Sequence, residues 1–264
     1  MPKEIESDHQ PGSFKERRPS GHYNAAMSFE ADHILARVAS AYAGCRSYRD
    51  EGVVTTTFYN GRKLTERRPF STRFVRPDGF LFEFRSRRGE DDWDQYAIWN
   101  ENGQTRSWWS IRPGLETVKR LDVAIGGATG VSGGSAFRVP HLLMPTLGSR
   151  SAPGPACVIA SPEASNLNCV VVEIPQHLGG VEQIWIEETS FLVRKVVEPR
   201  HVLEPPPVAA LDGLKSIDPA LAEKIERSYS KKSERPEVDT VTTYEPVFDV
   251  EIARADLVFV PPSE

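Results

Sequence analysis

The stretch FSTRFVRPDGFLFEF, residues 70–84, decides the fold because it reads as two β-strands joined by a tight turn. In that turn Pro77 has the φ angle that the first corner requires, and Asp78 can adopt the backbone conformation of the second corner. Gly79 accepts the positive φ that closes the turn. The stretch therefore predicts an antiparallel hairpin.

Three phenylalanines alternate along the second strand of this hairpin. Successive side chains of a strand point to opposite faces, so Phe80, Phe82 and Phe84 share one face and Leu81 lies on the other. Arg76 precedes a proline, which disfavours helical backbone and holds the residue extended at the strand end. A guanidinium therefore lies beside a row of rings that is large enough to hold an apolar ligand.

Further hairpins are predicted on both sides of this one. Strands 53–59 and 62–68 flank Asn60-Gly61, a dipeptide typical of two-residue hairpin turns. Strands 94–100 and 104–111 flank Asn102-Gly103. Sequential strands joined by tight turns are neighbours in space, so these six strands predict an antiparallel meander. An amphipathic helix from Ser28 to Gly44 precedes it, and further strands follow between residues 156 and 260.

Two segments interrupt the strands. Residues 119–149 are glycine-rich at 126–134, and an apolar helix is predicted at 139–147, which contains Leu142, Leu143 and Met144. We interpret this segment as a mobile apolar lid. Residues 203–235 form a proline-rich, then helical, insertion. Residues 1–27 read as a disordered polar tail, and 28–264 as a single domain.

Composition excludes several classes of protein. The net charge of −5 and the pI of about 5.8 argue against a nucleic-acid binder, whose footprint is a basic face. No run of 18 apolar residues would span a membrane, and residues 1–27 lack the apolar core of a signal peptide. No cysteine or histidine spacing indicates zinc, so neither a metal nor a cofactor is expected.

A serine motif offers one enzymatic reading. Gly130-Val131-Ser132-Gly133-Gly134 matches the G-x-S-x-G pattern of a serine hydrolase. That chemistry needs a strand before the serine and a helix directly after it. No alternation of strands and helices surrounds the motif, so we expect no catalytic residue and no enzyme.

Two cysteines flank a polar loop, 161–168: Cys157 lies four residues before the loop and Cys169 directly follows it. A hairpin there would bring Cys157 and Cys169 face to face. In an oxidising compartment they could form a disulfide; otherwise they are two buried thiols.

The hairpin resembles a motif of the LolA/LolB-type lipoprotein carriers. Residues 74–82, FVRPDGFLF, are similar to the family's K/R-R-P-x-x-F-x-W/F hairpin, with Val75 at the K/R position. The early amphipathic helix matches in order, and so do later stretches: 106–110, RSWWS; 183–187, QIWIE; 192–195, LVRK; and the ending at 257–262, LVFVPP.

This resemblance implies a mostly β fold: an open, curved antiparallel half-barrel with helices covering its concave face. It implies a carrier of lipid or lipoprotein acyl chains in the periplasm or cell envelope, with membrane-associated donor and acceptor proteins. It also implies that Arg76 bonds lid backbone and latches the lid. The residues expected to line the cavity are Phe80, Phe82, Phe84, Trp99, Trp108, Leu142, Leu143 and Met144. The alternative is an envelope sensor that uses the same fold to bind a protein partner.

Overall fold

The computed structural model describes residues 25–60, 62–87, 93–101, 103–148, 155–176, 180–202 and 237–262, with Asp212, Lys215, Glu223 and Glu226. The helices are α1 Ala25–Gly44, α2 Leu121–Val131, α3 Arg138–Leu143 and α4 Pro162–Asn166, with short 3-10 turns at Pro145–Leu147 and Arg254–Leu257. The strands are β1 Ser47–Asn60, β2 Arg62–Val75, β3 Gly79–Arg87, β4 Trp93–Glu101, β5 Gln104–Trp109, β6 Arg112–Val118, β7 Cys157–Ile159, β8 Cys169–Pro175, β9 Val181–Glu187, β10 Val193–Val202, β11 Glu237–Tyr244 and β12 Val247–Phe248.

All twelve strands belong to one antiparallel sheet. Its order is β6-β5-β4-β3-β2-β1-β11-β10-β9-β8-β7, and β12 pairs with β1 beyond the end of β11. Because β6 and β7 are the two edges, the sheet is open. The predicted fold class, an open antiparallel half-barrel with helices, is confirmed.

The first hairpin is longer than predicted. β1 and β2 pair from Ser47 with Val75 to Asn60 with Arg62. The predicted strand 62–68 and the first strand of the 70–84 hairpin are therefore one strand, with Pro69 inside it. β3 pairs with β2 only from Phe70 onward. Proline has no N–H to donate to a neighbouring strand, so it is found where one side of a strand is unpaired. Pro69 is tolerated because β3 does not pair with β2 at this residue.

The turn at Pro77 differs in detail from the prediction. The Arg76–Pro77 peptide bond is cis, and Gly79 is not in the positive-φ region. A Cβ at Gly79 would lie 2.7 Å from Leu257 Cδ1. Glycine is therefore needed there for close packing, and the predicted backbone reason is wrong.

The two faces of the sheet are covered by different parts of the chain. We call the face that carries Phe80, Phe82 and Phe84 the inner face; these rings cluster with residues of α1, α2 and α3. The outer face carries Leu81, which belongs to a separate cluster. The core therefore lies mainly between the inner face and the three helices.

The lid contains a helix that the sequence did not predict. Helix α2 includes three glycines, Gly126, Gly127 and Gly130. Its buried residues are Ala124, Ile125 and Ala128, whereas the glycines are on the exposed side. Packing of one apolar face therefore outweighs the low helix propensity of glycine.

Other predicted segments lie largely outside the described residues. The tail is described only from Ala25, where α1 begins, three residues before the predicted start of the helix at Ser28. Of the insertion 203–235, only Asp212, Lys215, Glu223 and Glu226 are described, all in helical backbone. Within the described part of the chain, no helix combines the length and apolarity needed to cross a membrane.

Candidate functional site

The candidate site is the inner face beneath the lid, where aromatic rings run across five strands. Phe70 on β2 lies 6.1 Å from Phe82, and Phe82 lies 6.3 Å from Phe84, between ring centroids. The row continues through Tyr96 on β4 to Trp109 on β5, at 5.5 and 5.7 Å. At its other end Tyr244 of β11 meets Phe70 edge-on at 5.4 Å. We call this set the aromatic row.

The lid covers the row with smaller side chains. Leu143 has no exposed surface and joins the same cluster as Phe80, Phe82 and Phe84, while Leu142 and Met144 are partly buried against it. Phe80 and Phe82 also have no exposed surface. A side chain without accessible surface borders no space that water could enter, so at these residues the lid and the rings fill one another.

Two of the predicted lining residues lie on the other face. Trp99 pairs with Leu81, and Trp108 pairs with Ala97, so all four side chains point outward. They form an outer cluster with Phe259 of the C-terminal segment. The prediction that Trp99 and Trp108 share a lining with the phenylalanines is wrong, because the strand register puts Tyr96 and Ile98 there instead.

Arg76 holds two helices by their carboxyl ends. Its Nε donates to Cys45 O at 2.7 Å, and its Nη2 donates to Tyr42 O at 2.9 Å and to Leu143 O at 3.1 Å. These carbonyls lie at the ends of α1 and α3, where helix dipoles favour a cation. Arg76 thus ties the β2–β3 turn to α1 and to the lid backbone.

A second arginine holds the other end of α3, which sequence reasoning missed. Arg138, the first residue of α3, forms a bidentate ion pair with Glu182 of β9, with Nε to Oε1 at 3.1 Å. The two side chains are only 23% and 12% exposed. Gln176 donates to Glu182 at 3.0 Å. Burial, together with the nearby Glu182 carboxylate, raises the pKa of Glu198.

A carboxyl group lies buried at the base of the site. Asp50 is 1% exposed; it accepts hydrogen bonds from the Tyr48 hydroxyl at 2.7 Å and from the Thr72 N–H at 2.8 Å. Burial raises its pKa from 3.8 to about 6. The alternation Tyr48, Asp50, Gly52, Val54 along β1 is the signal that places Asp50 on the inner face.

The serine motif does not form a nucleophile elbow. Ser132 follows helix α2 instead of a strand, and it has no exposed surface. Its hydroxyl accepts a hydrogen bond from the Ala136 N–H at 3.3 Å. Gly133 and Gly134 have positive φ and turn the chain from α2 toward α3. The motif therefore acts as a turn in the lid.

Of the two alternatives for Cys157 and Cys169, the structure has free thiols and not the disulfide. Cys157 pairs with Glu173, four residues along β8 from Cys169, a separation of roughly 13 Å along the strand. The pairing of β7 with β8 is centred on residue 165, whereas Cys157 and Cys169 lie 8 and 4 residues from that point and so cannot face each other.

Comparisons with known proteins find similar folds but no close relative. No family model matches the chain, and no curated protein matches its sequence. Similar solved structures include a DUF1329 family protein from Desulfovibrio piger, with 10% identity, TM-score 0.36, and 88% of this chain and 97% of that one covered. A putative outer membrane lipoprotein-sorting protein domain from Vibrio parahaemolyticus has 8% identity, TM-score 0.34, and coverages of 87% and 97%. A LolA superfamily protein from Nitrosomonas europaea has 8% identity, TM-score 0.32, and coverages of 87% and 97%. At these values the likeness concerns the fold and assigns neither a family nor a function to the chain.

Proposed function

We propose that the protein is a non-catalytic carrier that binds one or more acyl chains on the inner face, in place of the lid. The observation that carries this proposal is the asymmetry of the core. Large rings on a single sheet are covered by helices and not by a second sheet. A carrier of this kind would work in the cell envelope, with membrane-associated proteins as its donor and acceptor.

The burial free energies of the lid side chains and of an acyl chain are comparable. Replacement of the lid by an acyl chain requires this. The larger buried side chains of the lid are Ile125, Val139 and Leu143. At about 1.5–3 kcal/mol each they contribute roughly 5–9 kcal/mol of apolar burial. A sixteen-carbon chain at about 0.8 kcal/mol per CH₂ offers on the order of 10 kcal/mol before ordering costs. An acyl chain can therefore replace the lid without a large net cost.

The hydrogen bonds of the lid suit reversible opening. Arg76 and Arg138 hold α3 at its two ends through bonds that water can replace. The loop that joins α2 to α3 turns at Gly133 and Gly134. The lid can therefore leave as a unit that keeps its own helical hydrogen bonds.

A reversible lock tests the proposal. A Cβ built at Gly133 lies 3.8 Å from the Cβ of Val54 on β1, within the roughly 3.5–4.5 Å that disulfides require. We suggest Val54→Cys with Gly133→Cys, in a background where Cys45, Cys157 and Cys169 are replaced by alanine. The probe is dansyl-undecanoic acid, whose fluorescence reports transfer from water to an apolar site.

We expect the reduced double variant to bind the probe and the oxidised form to bind it at least about tenfold more weakly, since about 1.4 kcal/mol corresponds to tenfold. Reduction should restore binding. Gly133→Cys alone is the matched control and should respond to neither oxidant nor reductant. Equal binding by the oxidised and reduced forms, or no binding by either, would overturn the proposal.

A further inference from the structure

The inner face changes from apolar to polar beside the aromatic row. The apolar side consists of residues of the inner core cluster, which include Phe70 on β2, Val54 on β1, Val196 on β10 and Ile184 on β9. Inner residues of a strand are two positions apart. The next inner residue on each of these strands is polar: Arg68 on β2, Thr56 on β1, Glu198 on β10 and Glu182 on β9. A ligand on this face therefore meets apolar surface at one end and polar surface at the other.

Arg68 lies beneath the lid, next to Phe70 of the aromatic row. The two residues are roughly 7 Å apart along β2, and Arg68 pairs across the sheet with the buried Val54. A Cβ built at Gly133 would lie 3.3 Å from Nη1 of Arg68. The arginine side chain is 20% exposed. The turn between α2 and α3 thus covers this guanidinium, and opening of the lid uncovers a cation at the border of the row.

Arg68 keeps donors for a ligand. Its Nη2 donates to Glu66, whose side chain is 42% exposed. Within the part of the chain that the structure describes, this is the one hydrogen bond that the Arg68 side chain makes. A guanidinium has five N–H donors in a planar fork, and an ion pair with an exposed carboxylate contributes little. A ligand anion can therefore share or replace Glu66 as the partner of Arg68.

The other charged groups around the lid are less suited to hold an anion. Arg76 would keep its bonds to Tyr42 O and Cys45 O of α1 after the lid had left. Arg138 belongs to the lid itself and pairs with Glu182. Glu198, which lies near that pair, is on β10, three strands and roughly 14 Å from β2. Arg68 is therefore the cation of the sheet that a headgroup beside the row would meet.

We propose that the cargo is an anionic amphiphile, a carboxylate or phosphate joined to an acyl chain, and that Arg68 binds its headgroup. This inference rests on the proposed function. The acyl chain lies over Phe70 and Phe82, and the headgroup takes the place of the Gly133 turn. Arginine binds carboxylate or phosphate through two parallel N–H···O bonds. Arg68 thus selects the charge of the cargo and fixes its orientation, whereas the rings supply apolar contact.

Three probes with the same dansyl group and different charges at the other end test the proposal. They are dansyl-undecanoic acid, its neutral methyl ester, and the cationic N-dansyl-1,11-diaminoundecane. Fluorescence titration at about pH 7.5, where a carboxylic acid of ordinary pKa is ionised, gives the Kd of each. Hexadecanoic acid, hexadecyl phosphate and hexadecan-1-ol then compete with the bound acid probe, and the stronger of the two anions identifies the headgroup that Arg68 prefers.

We expect the acid to bind at least about tenfold more tightly than the ester, and the amine more weakly than the ester. Arg68→Gln should weaken binding of the acid by about tenfold and change binding of the ester by less than about twofold, which also shows that the variant is folded. Glu66→Gln removes the competing carboxylate and should tighten binding of the acid. Arg67→Gln is the matched control, because Arg67 is an exposed arginine on the other face of β2; it should change neither Kd by more than about twofold.

Two kinds of result would overturn this inference and leave the carrier proposal in place. One is equal binding of acid and ester, or tighter binding of the amine. The other is a loss of acid binding in Arg67→Gln as large as that in Arg68→Gln. Displacement of the acid probe by hexadecan-1-ol as readily as by both anions would count in the same way. Failure of all three probes to bind would overturn both proposals.

Discussion

The inner and outer faces of the same strands are covered in different ways. On the inner face three helices lie over Phe80, Phe82 and Phe84. On the outer face a single ring, Phe259, lies 5.7 Å from the Trp99 ring and 5.2 Å from the Trp108 ring. The inner cover consists of helices, whereas the outer cover at these two rings is the side chain of one residue.

Two arginines of the same hairpin show the difference. Arg76 donates to the ends of two helices on the inner side. Arg73 donates to Glu83 and to Asp256 O, both at 3.3 Å, and so ties the C-terminal segment to the outer side. One sheet thus carries two covers, each held by its own arginine, and the predictions below test how the two differ.

The largest effect is expected from shortening a ring of the aromatic row. Phe82→Ala should lower the free energy of unfolding by about 3–5 kcal/mol, and Leu81→Ala on the outer face by about 2–5 kcal/mol. Urea denaturation measures both. Only Phe82→Ala should also speed proteolysis within residues 119–148, because only Phe82 supports the lid. Equal acceleration by Leu81→Ala would show that the two covers are not independent.

The next effect is a pH dependence confined to the inner face. The pKa of Asp50 is raised from 3.8 to about 6, so the folded state binds the proton more tightly than the unfolded state. This contribution is fully present below pH 3.8 and is lost as the pH rises through 6. At 1.36 kcal/mol per pKa unit it amounts to about 3 kcal/mol.

The Asp50→Asn variant isolates that contribution. The stability of the wild type relative to Asp50→Asn should fall by about 3 kcal/mol between about pH 3 and pH 7. Urea unfolding of both proteins across this range measures the difference. A difference that does not change with pH would mean that Asp50 is not buried in the folded protein.

A smaller loss of stability is expected from removing the arginine that is hydrogen-bonded to each cover. Arg76→Leu leaves helix-end carbonyls without a donor, and it should cost about 1–3 kcal/mol. Amide hydrogen exchange should accelerate in residues 138–144. Arg73→Leu is the matched control; it should cost about 1 kcal/mol or less and accelerate exchange only near residues 254–258. Unaltered exchange of the lid in Arg76→Leu would contradict its role as a latch.

The smallest effects should have opposite signs on the two covers. Gly126 lies in α2, and a Cβ built there meets nothing within 4 Å. Gly126→Ala should therefore stabilise the lid helix by about 0.5–1 kcal/mol. Gly79→Ala would bring a methyl group against Leu257 of the C-terminal segment, which carries the outer cover, and should destabilise by about 1 kcal/mol. Thermal unfolding measures both changes, and two shifts of the same sign would contradict the comparison.

The sequence predicted those parts of the fold that depend on residues close together in the chain. The meander, the open antiparallel sheet and the amphipathic first helix follow from alternation, turn dipeptides and helical spacing. The continuity of β2 through Pro69 was missed, because a proline inside a strand usually indicates its end. Proline is tolerated here since β3 does not pair with β2 at Pro69, which the sequence does not show. Helix α2 was missed because packing outweighed glycine propensity.

The candidate site was only partly predictable for the same reason. Phe80, Phe82 and Leu143 come together on the inner face, but the sequence could not assign Trp99 or Trp108 to a face without the register of β4 and β5. The bond from Arg138 to Glu182 joins residues 44 positions apart. The pairing of β2 with β3 ends at Phe70 with Phe84, and no local pattern reports where these two strands separate.

The sequence by itself determined which side chains of each strand share a face, where the chain turns, and that an arginine stands beside a row of phenylalanines. Those features depend on backbone geometry over a few residues. The tertiary structure alone decided which face the helices cover, which carboxyl group is buried beneath them, and where two strands separate. These depend on contacts between residues far apart in the chain, and the register of those contacts is set by packing of the whole sheet.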